Sequence, residues 1–326
     1  MILSKTPFRI SFFGGGSDLS SFYNQSPGFV VSAAINKYIY ISLNKKFDDS
    51  IRVSYSITEN VNNISDLKHD IVKNALKYYG VENGVELASI SDLPSNGTGM
   101  GASSAFAVGL INALHNYKNP DKYLPANKLA ELACEIEIDL CKKPIGKQDQ
   151  YACAYGGINT HTFENDFVTS KRLQLGLDTI QYLEDNFLLL YTSIARSAND
   201  ILKDQSQKMI DNSKSFENMK LMVKLAHQFH ADLIKNDFSS LGEMLDYSWQ
   251  LKREVSNGIS NHELDELYND AKRCGAKGGK VLGAGGGGFM LLYADPKTQE
   301  KIKEKFYQYK PFNFKFDFGG PKILQV

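Results

Sequence analysis

LPSNGTGMGASSAFAVGLINAL, residues 93–114, decides how the chain is read, because it joins a strand exit, a three-glycine loop and an apolar helix. It follows an extended run, VELASI at 85–90, and Pro94 marks the end of that run. Gly97, Gly99 and Gly101 open backbone conformations closed to other residues, and Ser103 and Ser104 stand where a helix would begin. Phe106, Leu110, Ala113 and Leu114 then recur at helical spacing. A glycine loop feeding a helix N-terminus presents unpaired N–H groups and the positive end of the helix dipole, an arrangement that holds phosphate. It is not a Walker loop, which needs a lysine before the hydroxyl residue, nor does it fit the GxGxxG dinucleotide pattern. From the loop alone, a tight turn whose glycines serve packing reads equally well.

With 326 residues the chain is long for one core, so two domains are expected. Its 37 basic and 37 acidic side chains cancel, which removes any global electrostatic case for nucleic acid or an anionic membrane surface. No apolar run approaches the ~20 residues that span a bilayer, and the start, MILSKTPFRIS, lacks a basic region followed by an apolar core. A cytoplasmic protein is expected. Cys134, Cys141, Cys153 and Cys274 form no CxxC pair, so free thiols are expected rather than disulfides or a metal site.

Working outward, a strand at 8–13 runs into Gly14, Gly15 and Gly16, then Ser17 and Asp18, which suggests a close backbone approach as readily as a flexible hairpin. Three β-rich runs, 29–35, 38–46 and 51–57, are expected to pair as an antiparallel meander. Ser65 reads as the N-cap of a helix that stops at Gly80. After the loop helix, residues 124–144 form a helix carrying Glu131, Glu135, Glu137 and Asp139 away from its apolar face, closed by Pro144. Asp149 falls in a short polar connection, as a general base or as a turn aspartate. The second half begins near residues 165–185. It reads as a strand at 186–193, helices over 198–255 broken near 236–240, and a helix at 263–274. A strand at 280–282, GAGGGG at 283–288, a strand at 289–293, a helix at 296–309 and a strand at 312–318 come next, a split-βαβ order. Six small residues exceed what a hairpin needs, which favours close packing against a ligand loop.

Three stretches together, KTPFRISFFGGGSDL, PSNGTGMGASSAF and KVLGAGGGGFMLL, resemble the GHMP kinase superfamily over the whole chain. The middle one departs from the family pattern by one extra residue between Pro94 and Gly99, by Met100 for leucine and by Ala102 for serine. The resemblance implies an α+β, two-domain GHMP kinase fold: a ribosomal protein S5 domain 2-like part over 1–175 and a ferredoxin-like split βαβ layer over 176–326, with the active site in the cleft. FFGGGSDL, EIEIDLCKKPIGKQDQYACAYGGIN and TSIARSANDIL look most like the heptose 7-phosphate kinases within it. The same resemblance implies an ATP- and Mg²⁺-dependent kinase of the anomeric hydroxyl of a sugar phosphate. Its small-molecule partners are that sugar phosphate and ATP, with neither nucleic acid nor membrane, and the reading leaves room for a homodimer. A fucose or galactose kinase, a kinase of an isoprenoid acid, and a non-catalytic sugar and ATP sensor are the alternatives.

The resemblance also assigns roles. Pro94, Gly97, Gly99, Met100, Gly101, Ala102, Ser103 and Ser104 would wrap the ATP phosphates, with Ser103 and Glu137 on Mg²⁺ and Glu135 as the fallback. Asp149 would deprotonate the attacking hydroxyl beside the Lys5 cation. Asp18, with Gly15, Gly16 and Ser17, would hold the sugar, joined by Gly286 and Gly287. Arg196, with Arg9 and Lys280 behind it, would grip the substrate's own phosphate, since a guanidinium binds phosphate bidentately.

Overall fold

The computed structural model describes residues 1–94, 97–120, 122–165, 167–194, 198–211 and 213–325. In chain order come β1 (Ile2–Phe13), α1 (Ser20–Tyr23), β2 (Gly28–Lys45), β3 (Ile51–Ser54), β4 (Thr58–Val61), α2 (Asp70–Tyr78) and β5 (Val85–Ser91). Next are α3 (Ala102–Lys118), α4 (Ala126–Cys134), α5 (Gln148–Tyr155), β6 (Ile158–Glu164), β7 (Phe167–Arg172), α6 (Leu177–Asn186) and β8 (Phe187–Tyr191). The chain continues through α7 (Ala198–Asp211), α8 (Ser213–Lys235), α9 (Leu241–Val255), α10 (His262–Arg273), β9 (Gly278–Val281), β10 (Phe289–Tyr293), α11 (Pro296–Lys305) and β11 (Lys322–Gln325).

The first sheet runs β11-β1-β2-β5-β3-β4, with β6 added to β2 and β7 to β6. This replaces the expected meander. Residues 29–46 are one long strand, not two: Pro7 faces Tyr38 and Phe8 faces Ile35, so Asn36 and Lys37 form a bulge where a turn was expected. β3 pairs with β4 and, in parallel, with β5, not with β2. The helix expected from Ser65 starts later, at Asp70, because the His69 side chain caps it by accepting from the Val72 N–H.

α3 lies on β1 and β2 and is buried on every side from Ser104 to Leu114, as a helix apolar all round must be. The second sheet, β8-β10-β9, is covered on both faces, which explains why FLLLY and FMLLY are continuous apolar runs rather than alternating ones. Phe187, Leu189, Phe289 and Leu291 join the core of the first sheet, whereas Leu188, Leu190, Met290 and Leu292 pack with Trp249 and Tyr268. Phe12 meets Phe187 and Phe229 at centroid distances of 5.3 and 5.4 Å, so the two layers share an aromatic seam.

The strand expected at 312–318 is instead a connector held by single bridges. Phe312 pairs with Leu189 of the second sheet and Phe316 with Ile35 of the first, after which β11 returns to β1. All four cysteines are free. Among the described residues, no helix is long and apolar enough to cross a membrane.

Candidate active site

The loop before α3 and the glycine run between β9 and β10 are packed backbone to backbone. The Phe289 N–H donates to the Thr98 carbonyl at 2.9 Å. Gly99 has φ +68, and a Cβ there would stand 2.3 Å from the Leu282 carbonyl oxygen, so both conformation and contact require glycine. Gly101 caps α3 at φ 75 with no side-chain cap bond, which leaves the first-turn N–H groups for a ligand. Gly97, Gly99, Gly101, Ala102, Ser103 and Ser104 line one wall of a cavity of about 260 Å³. The facing wall comes from α7, α9 and Gly283, so the cavity lies between the two layers.

Its floor is ionic. Arg9, on β1 and 1% exposed, donates from Nε to Asp149 Oδ1 at 2.7 Å and from Nη2 to Oδ2 at 2.6 Å. Its third donor, Nη1, reaches the Gly99 carbonyl at 2.6 Å, so one guanidinium ties the carboxylate to the phosphate loop. Asp149 sits in the first turn of α5 rather than on a loop. Asp18 is buried and accepts from the Gly16 N–H (2.9 Å), the Gln148 N–H (3.0 Å) and Gln148 Nε2 (3.3 Å). Burial raises its pKa, helped by the neighbouring Asp149 charge, while the backbone donors oppose the rise.

Two buried lysines lie nearby, of which Lys252 lines the cavity and Lys280 does not. Lys252 on α9 donates to the Gly283 carbonyl, and burial, helped by nearby Arg9, pushes its pKa down to about 8. Lys280 donates to the Phe12 carbonyl, and burial together with Lys252 and Arg9 lowers its pKa well below normal. For Lys252 the unfolded chain holds its proton up to the ordinary lysine value, whereas the folded one releases it near pH 8. The cost of the buried ammonium is therefore complete below about pH 8 and is relieved as the pH rises toward about 10.5. Lys252→Met is expected to gain stability relative to wild type at pH 7 by about 3 kcal/mol more than at pH 10.5, measured by urea unfolding at both values. An equal difference at the two values would show that Lys252 titrates normally.

The third cluster surrounds Glu137. α4 does not simply continue: residues Glu135–Leu140 form a π-helical turn, a widening that recurs at functional sites. It buries Glu137 completely while Glu135 and Asp139 remain exposed, so the fallback ligand Glu135 faces solvent. Glu137 Oε1 accepts the Ser103 hydroxyl at 2.6 Å and Lys143 Nζ at 3.2 Å, and Oε2 accepts Gln150 Nε2 at 2.8 Å. Lys143 Nζ also donates to Ser103 Oγ at 2.7 Å. The Ser103 hydroxyl on the cavity wall, with the buried Glu137 carboxylate directly behind it, fits Mg²⁺, which takes one or two protein oxygens and keeps its other positions for water and phosphate. Among the described residues no group of three or more His, Cys, Asp or Glu side chains could hold a metal.

A second cavity of about 560 Å³ opens on the other side of Ser103 and Lys143, which line both. His69 stacks on Phe106 there at 4.8 Å, with Tyr55 edge-on at 4.7 Å, giving a flat aromatic wall beside Ile39 and Leu93.

Ser103, Glu137 and Asp149 thus come together around one loop, and Asp18, Gly15 and Gly16 border the same cavity. Other expectations need correction. Lys5 is not beside Asp149: its ammonium lies 3.7 Å over the Tyr38 ring, four residues or about 13 Å along β1 from Arg9, the cation that does meet the carboxylate. Arg9 is consequently committed to Asp149 and Gly99 rather than free for phosphate. Ser17 is fully buried and bonds to Gly14 and Phe29. Met100 is a core residue, and Pro94 does not line the cavity. Gly286 and Gly287 pack on Ile259 and Ile194, and the residues of that run that line the cavity are Gly283 and Ala284. Lys280 points at Phe12 instead of a ligand. Arg196 lies outside the described residues. Sequence reasoning missed Lys143, Gln150 and Lys252, which carry no spacing signal.

Residues 67–157 match the model for the GHMP kinases N terminal domain, and residues 229–311 the model for GHMP kinases C terminal. The chain is 34% identical to a D-glycero-alpha-D-manno-heptose 7-phosphate kinase of Campylobacter jejuni, covering 100% of this chain and 99% of that one. It is 25% identical to a bifunctional fucokinase/GDP-fucose pyrophosphorylase of Arabidopsis thaliana, over 95% of this chain but 31% of the larger protein. A solved D-glycero-D-manno-heptose 1-phosphate kinase from Bacteroides thetaiotaomicron superposes with a TM-score of 0.81 at 24% identity, over 100% of this chain and 99% of that one.

Proposed function

Because the chain belongs to the GHMP kinases, and so is a two-domain phosphotransferase acting on an alcohol group, we propose that it transfers the γ-phosphoryl group of ATP to the anomeric hydroxyl of D-glycero-D-manno-heptose 7-phosphate. The product would be the 1,7-bisphosphate, made in the cytoplasm on the way to a nucleotide-activated heptose for surface polysaccharide. The observation that carries this reading is the position of Asp149, on the same cavity as the Gly97–Ser104 loop and pinned to that loop through Arg9.

Phosphoryl transfer asks little covalent chemistry of a protein beyond placing the reactants in line and neutralising charge. The N–H groups of the loop and of the first turn of α3 hold the ATP phosphates, and the aromatic wall of the second cavity takes the adenine. Asp149 accepts the proton of the sugar hydroxyl as that oxygen attacks phosphorus, and the leaving ADP departs along the loop. Arg9 fixes the orientation of the Asp149 carboxylate by holding both of its oxygens. Mg²⁺ bound at Ser103 and Glu137 would neutralise charge on the transferring phosphates. Gly15, Gly16 and Asp18 border the sugar, and Lys252 offers a buried cation on the α9 side for a phosphate at the sugar's far end.

ADP release, measured over heptose 7-phosphate, mannose 6-phosphate, free fucose, galactose and mevalonate, tests the assignment. The heptose phosphate is expected to give a kcat/KM at least ~10²-fold above every free sugar, the scale on which a site built for a charged group rejects substrates lacking it. A free hexose outperforming the phosphorylated sugars would move the protein to the fucokinase or galactokinase activity, and no turnover of any would favour a sensor.

A further inference from the structure

The Lys143 ammonium stands on the two oxygens that the proposed metal needs. It is 2.7 Å from Ser103 Oγ and 3.2 Å from Glu137 Oε1, while the other carboxylate oxygen is taken by Gln150. We infer that Lys143 competes with the metal for the Ser103–Glu137 pair and yields it when nucleotide phosphate arrives, so that metal binding depends on the nucleotide. The inference rests on the metal role proposed above for Ser103 and Glu137.

The competition arises from charge and space. Glu137 is fully buried, and among the described residues Lys143 is the cation recorded in an ion pair with it. A buried carboxylate requires such a partner. Mg²⁺ binds oxygen at about 2.0–2.1 Å, so a metal and an ammonium on one oxygen pair would be held within a few ångström of each other, where like charges repel strongly in a screened-off site. One of them must leave. Glu137 and Ser103 belong to packed helical elements, whereas the Lys143 side chain is 25% exposed and lines both cavities. Its flexible stem and compact ammonium let it turn from the carboxylate to a phosphate oxygen beside Ser103. Without phosphate, displacing Lys143 leaves its charge with no partner at the site; with phosphate, the displaced ammonium gains one. Metal and nucleotide are therefore coupled, and the coupling is reciprocal.

The test titrates Mn²⁺ into the full-length protein, with and without a non-hydrolysable ATP analogue, and follows binding by calorimetry and by the paramagnetic signal of free Mn²⁺. Lys143→Met is expected to bind Mn²⁺ about tenfold more tightly than wild type in the absence of nucleotide, and the analogue should tighten Mn²⁺ binding correspondingly less in the variant. Lys143→Gln, which keeps a donor near Glu137 but no charge, should show the same gain. Equal or weaker nucleotide-free Mn²⁺ affinity in both variants overturns the inference. Glu137→Gln separates this failure from that of the metal assignment. If Glu137→Gln weakens Mn²⁺ binding and the Lys143 variants do not strengthen it, the Lys143 inference alone falls. If Mn²⁺ binding is indifferent to Glu137→Gln, the metal assignment falls and takes the inference with it.

Discussion

Asparagine in place of Asp149 is expected to lower kcat by about 10²-fold or more while leaving the KM for ATP close to its wild-type value. The change keeps side-chain size and removes one acceptor oxygen, so the hydroxyl of the sugar loses the group that takes its proton. The amide also turns an N–H₂ toward the Arg9 fork, where both carboxylate oxygens now accept. The parts assigned to ATP, the loop wall and the aromatic cavity, do not include the Asp149 side chain. Steady-state rates with each substrate varied in turn check the split, alongside a thermal melt to confirm folding. Unchanged turnover would make Asp149 a structural partner of Arg9 and nothing more.

Arg9→Met should be nearly as damaging to activity and worse for stability. Three hydrogen bonds vanish together, two to Asp149 and one to the Gly99 carbonyl, and the methionine cannot replace the charge. Breaking a buried ion pair at one partner costs about 3–5 kcal/mol; Asp149 is a quarter exposed and can regain water, so about 3 kcal/mol is expected in denaturant melts. In kcat/KM the loss should reach about 10³-fold, since carboxylate orientation and loop position fail at once. Arg9→Lys should recover part of the stability and little of the rate, because an ammonium cannot hold both oxygens and the carbonyl in one plane. Residues acting as a unit are strongly non-additive, so Arg9→Met combined with Asp149→Asn should cost little more activity than the worse single change. Additive losses would show that Arg9 serves the loop and Asp149 the substrate independently.

The elements with strong local grammar were legible in the sequence: the apolar helix behind Gly101, the strand 289–293, the break between α8 and α9, and the glycine run that meets the phosphate loop. Ser103 and Glu137 entered through the resemblance of the glycine loop and of EIEIDLCKKPIGKQDQYACAYGGIN to the family, since a serine at a helix start and an acidic residue on a helix are each ordinary by themselves. Lys5 and Arg9 were not separable in this way. They lie four residues apart on a strand, a spacing that carries the same face signal, and burial, which differs between them, is a property of the assembled sheet. Asn36 and Lys37 look like turn residues because a polar pair between β-rich runs has the composition of one, whereas register against Pro7 makes them a bulge. The π turn under Glu137 had no signature either, since Leu129, Leu132, Ala133, Ile136 and Leu140 keep spacings of three and four that an ordinary α-helix also shows. Lys143 stood in a KKP triplet that reads as an ordinary solvated helix end.

The return of β11 to β1 bears on how the protein is made. Ile2 to Lys5 on β1 find their partners at Gln325 to Lys322, on the far side of everything else in the chain. Until residues 322–325 are made, that rim of the first sheet has unpaired N–H and C=O groups, the kind of edge that recruits strands from other molecules. β11 then covers that rim, so a sheet that begins at residue 2 is finished only once residues 322–325 are in place.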